Sequence, residues 1–200
     1  MPASPLEVWD ALAYALLMQG DYRGCLDTLE PRRNDPGRSF WLEHKLGDAY
    51  RGLNCLEDAV CCYRSSLADG SDSPLTVRNL LQVLDGLDPQ RAVEELQRWG
   101  VEQVPSAGAW EGARQAAVQV PGLALADCLW MLGEADAACR QRLLEEACYQ
   151  LDLARVMEIL GAAQAQGVGL SCWEAALEAR FQQLDFVVAT SDRGVGAPRR

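Results

Sequence analysis

The chain has 200 residues, of which 49% are hydrophobic and 24% are charged, and its formal net charge is −11. This composition is typical of a globular chain with a buried core and excludes a wholly disordered one. The acidic balance argues against general binding of nucleic acid or of anionic lipid headgroups, because both carry negative charge.

Helical periodicity begins with the first residues and continues along the chain. Apolar side chains recur at spacings of three and four between short breaks that contain Gly, Pro, Asn or Asp, and strand-like alternation is missing. Short links make consecutive helices antiparallel neighbours. The predicted helices are Pro5–Gln19, Tyr22–Arg32, Ser39–Gly52, Leu56–Ala68, Pro74–Leu84, Pro89–Trp99, Ala107–Gln119, Leu123–Leu132, Ala135–Gln150, Leu153–Gln166 and Leu170–Phe186.

Turn residues separate the first helices. Gly or Asn at positive φ ends a helix, and Asp or Pro can begin the next one. The turns are assigned to Gly20-Asp21, to Gly52-Leu53-Asn54, and to Asp85-Gly86 with Asp88-Pro89.

The first helix pair recurs in the second pair with a fixed offset of 34 residues. The positions Trp9, Leu12, Ala13, Leu16, Gly20, Cys25 and Leu29 correspond to Glu43, Leu46, Gly47, Tyr50, Asn54, Ala59 and Tyr63. The second set, closed by Pro74, resembles the tetratricopeptide repeat family, whose motif has Leu-Gly, an aromatic, a small residue, a second aromatic and a later proline in this order.

The resemblance implies an all-α fold, a right-handed α-α superhelix of about five antiparallel helix pairs plus a C-terminal capping helix. It predicts a single domain over residues 1–186. The match is strongest at 5–74, the repeats diverge over 75–167, and 170–186 forms the cap, which repeat arrays require. Residues 187–200 are expected to be a flexible tail. The apolar run at 186–190 either frays with it, docks on the last helix, or derives from a strand of a further domain.

The family resemblance also implies a binding groove, because the first helix of each family repeat lines a concave surface that holds a partner. The corresponding positions are Glu7, Asp10, Tyr14, Met18, Trp41, His44, Asp48, Arg51, Arg78, Gln82 and Asp85. The Lys and Asn pattern of the family's carboxylate clamp is missing, which disfavours acidic chaperone tails. The mixed charge suits an extended or helical peptide with some basic character. Trp41 either binds the partner or covers the hydrophobic seam beside Phe40.

Two features resemble a catalytic site and a metal or disulfide site, but both have simpler interpretations. His44 is the one histidine, and Asp48 lies four residues later on the same helix face, so the two are expected to form a hydrogen-bonded pair. The eight cysteines lie in amphipathic segments without a C-x-x-C pair, which favours buried, reduced thiols and no metal site. Adjacent Cys61 and Cys62 point apart on a helix and cannot form an ordinary disulfide.

The functional hypothesis follows from these observations. No nucleotide-binding, metalloprotease or hydrolase motif occurs, so we expect a non-catalytic scaffold without cofactor that binds a protein or peptide in the groove. No stretch reaches the ~18 apolar residues of a membrane span, and residues 1–7 lack the features of a secretory signal, which favours the cytoplasm. Self-association through an apolar seam is a further hypothesis. The alternative function is a recruitment or substrate-holding module that works with a separately encoded glycosyl-, sulfo- or methyltransferase, and an unusual all-helical enzyme ranks last.

Overall fold

The computed structural model describes residues 5–102 and 106–167, and every regular element in these ranges is helical. The predicted all-α class is confirmed. The capping helix at 170–186 and the tail at 187–200 lie outside the described residues. The α-helices are α1 (Pro5–Met18), α2 (Tyr22–Leu29), α3 (Phe40–Gly52), α4 (Leu56–Ala68), α5 (Pro74–Leu87), α6 (Pro89–Glu102), α7 (Ala107–Gln119), α8 (Ala124–Met131), α9 (Ala137–Tyr149) and α10 (Leu153–Ala165).

Three predicted helix ends differ from the structure by three residues, and proline explains two of them. Helix α6 continues to Glu102 instead of ending at Trp99. Helix α2 ends at Leu29 and continues as a single 3-10 turn, Glu30–Arg32, because a proline at position 31 removes a backbone donor. Helix α5 does not end at Leu84. It runs through Gly86, which is not at positive φ, as far as Leu87. The chain then becomes extended at Asp88, as the residue before a proline prefers.

The turn that closes the first helix recurs at the end of the third. Gly20 has φ 78° and Asn54 has φ 61°, so both adopt the left-handed conformation. The backbone N–H of Asp21 donates to the carbonyl of Leu16 at 2.9 Å, and the N–H of residue 55 donates to the carbonyl of residue 50 at the same distance. The two helix pairs therefore share this helix-ending geometry, at the offset that the sequence repeat predicts.

The described residues divide after Cys139 into two compact units. In the first unit, helices adjacent in sequence pack against each other from α1 to α6, as α7 and α8 also do. Contacts also join α1 to α3, α5 to α7 and α6 to α8. The interior is mainly aliphatic, and its fully buried leucines are Leu29, Leu46, Leu80, Leu81, Leu84, Leu96, Leu125 and Leu129.

Glycines permit the closest helix contacts in this unit. A Cβ on Gly47 would lie 2.6 Å from the Tyr63 ring, so the ring fills the space beside the α3 backbone. On α7, a Cβ on Gly112 would lie 2.4 Å from the carbonyl oxygen of Pro74, at the start of α5. The repeat motif places small residues at Gly47 on α3 and Ala59 on α4, but nothing in the sequence indicated the α5–α7 contact.

The second unit is described over residues 140–167, which contain most of α9 and all of α10. Arg140 donates a hydrogen bond to Gln166, while its own Nε is buried without a partner. The buried apolar side chains of this unit are Leu143, Leu144, Ala147, Val156, Ile159 and Ala163.

The cysteines in the described residues are all free thiols, and they differ in burial. Cys61 is exposed whereas its neighbour Cys62 is buried, as expected for adjacent positions on a helix. Cys55 is also exposed, so the prediction of burial fails at these two positions. Within residues 5–102 and 106–167, no cluster of His, Cys, Asp and Glu could hold a metal ion. Across the same ranges, no helix has both the length and the apolarity to cross a membrane.

Candidate functional site

A cleft of about 640 Å³ opens between α1, α3 and the first turn of α5. It contains most of the side chains that the family resemblance assigned to the groove on the first two helix pairs. Its lining residues are Tyr14, Leu17, Met18, Tyr22, Trp41, His44, Lys45, Asp48, Arg51, Gly52 and Leu75. The cleft therefore brings together residues that are far apart in sequence, and it is the candidate functional site.

The walls of the cleft are largely apolar and accessible. Tyr14 is 57% exposed, Met18 is 70% exposed and Leu75 is 42% exposed. Trp41 is half-buried, with its ring centroid 5.1 Å from that of Phe40 and 5.0 Å from that of His44. Trp41 thus packs on its neighbours and also lines the cleft, a position compatible with both roles that the sequence left open.

Asp48 forms the centre of the polar floor. Its Oδ1 accepts hydrogen bonds from the Tyr63 hydroxyl at 2.6 Å and from the Asn79 amide at 2.9 Å. Its Oδ2 lies 3.3 Å from Nε2 of His44, and the Arg51 guanidinium lies 3.6 Å from Oδ1. These partners come from α3, α4 and α5, so a single carboxylate joins three helices.

The electrostatics of the floor keep Asp48 ionised. Burial alone would raise the pKa of the Asp48 carboxyl, but the hydrogen bond and charge of His44, the Tyr63 hydroxyl and the charge of Arg51 outweigh it. The resulting pKa lies below the usual range. Burial and the nearby carboxylate raise the pKa of the Tyr63 phenol. A neutral hydroxyl therefore donates to a charged carboxylate, which is the stronger kind of hydrogen bond.

His44 makes the predicted pair with Asp48, but in a buried position. Its Nδ1 lies 2.8 Å from Oγ1 of Thr76 on α5, and Thr76 is fully buried. When His44 is neutral and donates from Nε2 to Asp48, Nδ1 accepts from the Thr76 hydroxyl. Hydroxyl, imidazole and carboxylate stand in the order of a catalytic triad, yet a buried Thr76 cannot reach a substrate. This network therefore holds the floor of the cleft in place.

Lys45 and the N-terminal acidic residues depart from the sequence prediction. Lys45 lines the cleft although no groove position was assigned to it, and its Nζ lies 2.6 Å from Oδ1 of Asp10 on α1. Asp10 and Glu7, which were assigned to the groove, instead line a separate recess of about 230 Å³. In that recess the Arg32 guanidinium stacks 3.8 Å from the Trp9 ring centroid.

The third helix pair lines the cleft with Leu75 and not with the residues predicted for it. Arg78 donates to Asn79 on its own helix, and Gln82 donates to Gln119 of α7 at 2.7 Å. Neither these side chains nor Asp85 line the cleft, because α5 reaches it only with its first turn, at Leu75. The 34-residue offset from Trp41 leads to Leu75, and this was the signal in the sequence that could have identified it.

Comparisons of the chain with protein-family models, with curated proteins and with solved structures found no match.

Proposed function

We propose that this chain is a non-catalytic helical-repeat scaffold of the tetratricopeptide type, which binds a partner peptide or protein in the cleft between α1, α3 and α5. The observation that carries the proposal is the composition of the cleft. Residues selected from repeat positions in two helix pairs, Tyr14, Met18, Trp41, His44, Asp48 and Arg51, line one accessible concave surface. Concave apolar surfaces with a few fixed polar groups are the usual sites of binding in proteins.

The repeated local geometry supports the proposed architecture. The left-handed residues Gly20 and Asn54 close their helices with matching hydrogen bonds. Packing of α1 on α3, of α5 on α7 and of α6 on α8 is the neighbour pattern expected when helix pairs stack. A right-handed superhelix over the full chain, together with residence in the cytoplasm, remains part of the proposal.

The partner is expected to bind mainly through apolar side chains. Asp48 already accepts from Tyr63 and Asn79 and lies beside His44, so its carboxylate is engaged within the protein. This arrangement weakens the expectation that the partner carries basic character. The exposed apolar walls supply the area that anchors a ligand, with Tyr14 as the accessible aromatic side chain.

A peptide selection with a matched pair of variants tests this proposal. A displayed peptide library is selected against the full chain, and the affinity of the selected peptide is measured by calorimetry. Tyr14→Ala is expected to weaken binding about tenfold or more, because truncation of an aromatic anchor removes about 1.4 kcal/mol or more of binding free energy. Tyr149→Ala, at an exposed tyrosine of α9 outside the cleft, is the control and is expected to bind as wild type does.

Two results would contradict the proposal. One is a selection that yields no binding peptide. The other is an affinity that Tyr14→Ala leaves unchanged or that both variants reduce equally. The identity of a captured cellular partner separates a general scaffold from the alternative, a recruitment module for a glycosyl-, sulfo- or methyltransferase.

A further inference from the structure

The charged side chains that line the cleft differ in how far they are already engaged within the protein. These side chains are Lys45, Asp48 and Arg51. The Nζ of Lys45 lies 2.6 Å from Oδ1 of Asp10, and the Lys45 side chain is 11% exposed. Asp48 accepts hydrogen bonds from side chains of α4 and α5. Neither Lys45 nor Asp48 is therefore available to bind the charge of a ligand.

Arg51 is different, because its guanidinium is accessible and largely unused. Its side chain is 40% exposed. Among the described residues, the guanidinium donates no hydrogen bond, and its charge contact is with Oδ1 of Asp48 at 3.6 Å, which is longer than a hydrogen bond. A guanidinium carries five N–H donors in a planar fork that matches a carboxylate. Arg51 thus brings unused donors of this kind to the cleft.

We propose that Arg51 binds a carboxylate of the partner, and that the cleft selects a peptide with apolar anchors and one acidic group. This inference rests on the proposed function and names the chemistry of its partner. Paired hydrogen bonds between a guanidinium and a carboxylate fix the orientation of a ligand and also strengthen its binding. One available cation fits one carboxylate, whereas an acid-rich tail would be repelled by a chain with a net charge of −11.

The position of Arg51 also predicts where the carboxylate lies in the peptide. Trp41 is in the first turn of α3 and Arg51 is in its last turn, roughly 15 Å apart along the helix axis. An extended peptide rises about 3.3 Å per residue, so about five residues lead from the side chain on Trp41 to the carboxylate on Arg51. The inference therefore predicts a spacing as well as a charge.

Changes in the selected peptide test the carboxylate on the wild-type chain. The library is displayed with free carboxyl termini. Each selected peptide is synthesised with a free or an amidated C-terminus, and with each Asp or Glu replaced in turn by Asn or Gln. Calorimetry with the full chain is expected to show one change that weakens binding at least about fivefold, because close charge pairs at interfaces contribute this much. Loss on amidation identifies the C-terminal carboxylate, and loss on replacement identifies an acidic side chain.

Variants of the protein connect this effect to Arg51. Arg51→Gln is expected to bind the acidic peptide and its neutral counterpart with equal affinity, whereas Arg51→Lys keeps the charge and should keep part of the preference. Arg23→Gln removes the same charge from an exposed position of α2 outside the cleft, and it should keep the full preference. Circular dichroism checks that each variant is folded.

The outcomes separate this inference from the proposed function. Peptides that Tyr14→Ala weakens, but whose carboxylates can all be replaced without loss, would overturn the role of Arg51 and leave the cleft as a binding site. A preference that persists in Arg51→Gln, or a selection enriched in Lys and Arg, would count against it in the same way. A selection that yields no binding peptide would contradict both.

Discussion

Asp48 shows how much of the cleft depends on one side chain. The Tyr63 hydroxyl and the Asn79 amide both donate to it, and both residues are buried. A buried donor that loses its acceptor costs more free energy than the hydrogen bond itself contributes, because water does not replace the partner. Substitution of Asp48 should therefore affect the stability of the fold as well as any binding.

Asp48→Ala is expected to lower the free energy of unfolding at pH 7 by on the order of 2–4 kcal/mol, since two buried donors lose their acceptor. The pKa of Asp48 is lowered in the folded protein, so its stabilising effect is present above the ordinary aspartate pKa, about 4, and is lost as the pH falls below that value. The deficit of the variant should therefore be smaller at pH 3 than at pH 7. Urea unfolding at both pH values measures it.

The exposed Asp27 on α2 provides the control for this experiment. Asp27→Ala should change stability by no more than about 0.5 kcal/mol at either pH, as is usual for a surface substitution. A deficit of Asp48→Ala that is equally large at both pH values would show that the stabilising role of the ionised carboxylate is wrongly assigned.

Single-residue reasoning from the sequence reached only part of this network. The spacing of His44 and Asp48 predicted their pairing, because residues four apart share a helix face. Tyr63, Thr76 and Asn79 lie on other helices, and their contact with α3 depends on how far each helix is shifted along its neighbour. The sequence pattern does not define that shift, so these partners were not predicted.

At the level of helix packing, the α3–α4 contact depends on Gly47. The Tyr63 ring occupies the space where a Cβ would lie, with Cε1 at 2.6 Å and Cδ1 at 2.7 Å. The ring has little freedom to move, because Tyr63 is fully buried and its hydroxyl is bound to Asp48. A side-chain ring, rather than a second backbone, therefore requires the small residue at this position.

Gly47→Ala is expected to destabilise the protein by about 1–3 kcal/mol, the usual cost of overpacking a core. The matched control is Gly86→Ala in α5, where an added Cβ meets no atom within 4 Å. There, alanine should stabilise by up to ~1 kcal/mol, because it favours the helix. Opposite signs in thermal melts are the expected result, and a stabilised Gly47→Ala would mean that the ring moves aside at little cost.

The helices themselves were predicted well because their signals are local. Periodicity, Gly20 and Asn54 in the turns, and the Pro89 start depend on neighbouring residues only. The α5–α7 contact was not predicted, because no local signal distinguishes Gly108 and Gly112 from other glycines in helices. Their role becomes visible only when the start of α5 lies beside them. Of the predicted groove positions, all four on α3 and two of the four on α1 line the cleft, whereas Arg78, Gln82 and Asp85 on α5, where the repeat pattern diverges, do not.

At the scale of the whole molecule, the thiols of the described residues fall into a buried and an exposed set, with Cys148 intermediate between them. Cys25, Cys62, Cys128 and Cys139 are buried, whereas Cys55 and Cys61 are exposed. Burial raises the pKa of Cys25 to about 11 and the pKa values of Cys62 and Cys139 to about 12. Buried thiols thus stay neutral in the folded chain at a pH where the unfolded chain releases their protons.

The sign of the resulting pH dependence follows from linkage. Because the folded pKa is raised, the stabilising effect is fully present below the unfolded thiol pKa, near 9. It is lost as the pH rises above that value and through the folded pKa values, about 11 for Cys25 and about 12 for Cys62. At pH 10, Cys25, Cys62 and Cys139 should each lower the free energy of unfolding by about 1 kcal/mol relative to pH 7.5. Cys62→Ala should reduce the loss of unfolding free energy between pH 7.5 and pH 10 by the contribution of one thiol. Cys61→Ala, one residue away and exposed, should leave this loss unchanged.

Comparison of each variant with itself at the two pH values cancels the packing cost of the substitution. If Cys62→Ala does not reduce the loss of stability at alkaline pH, that loss comes from other groups, such as the Tyr63 phenol, whose pKa burial also raises.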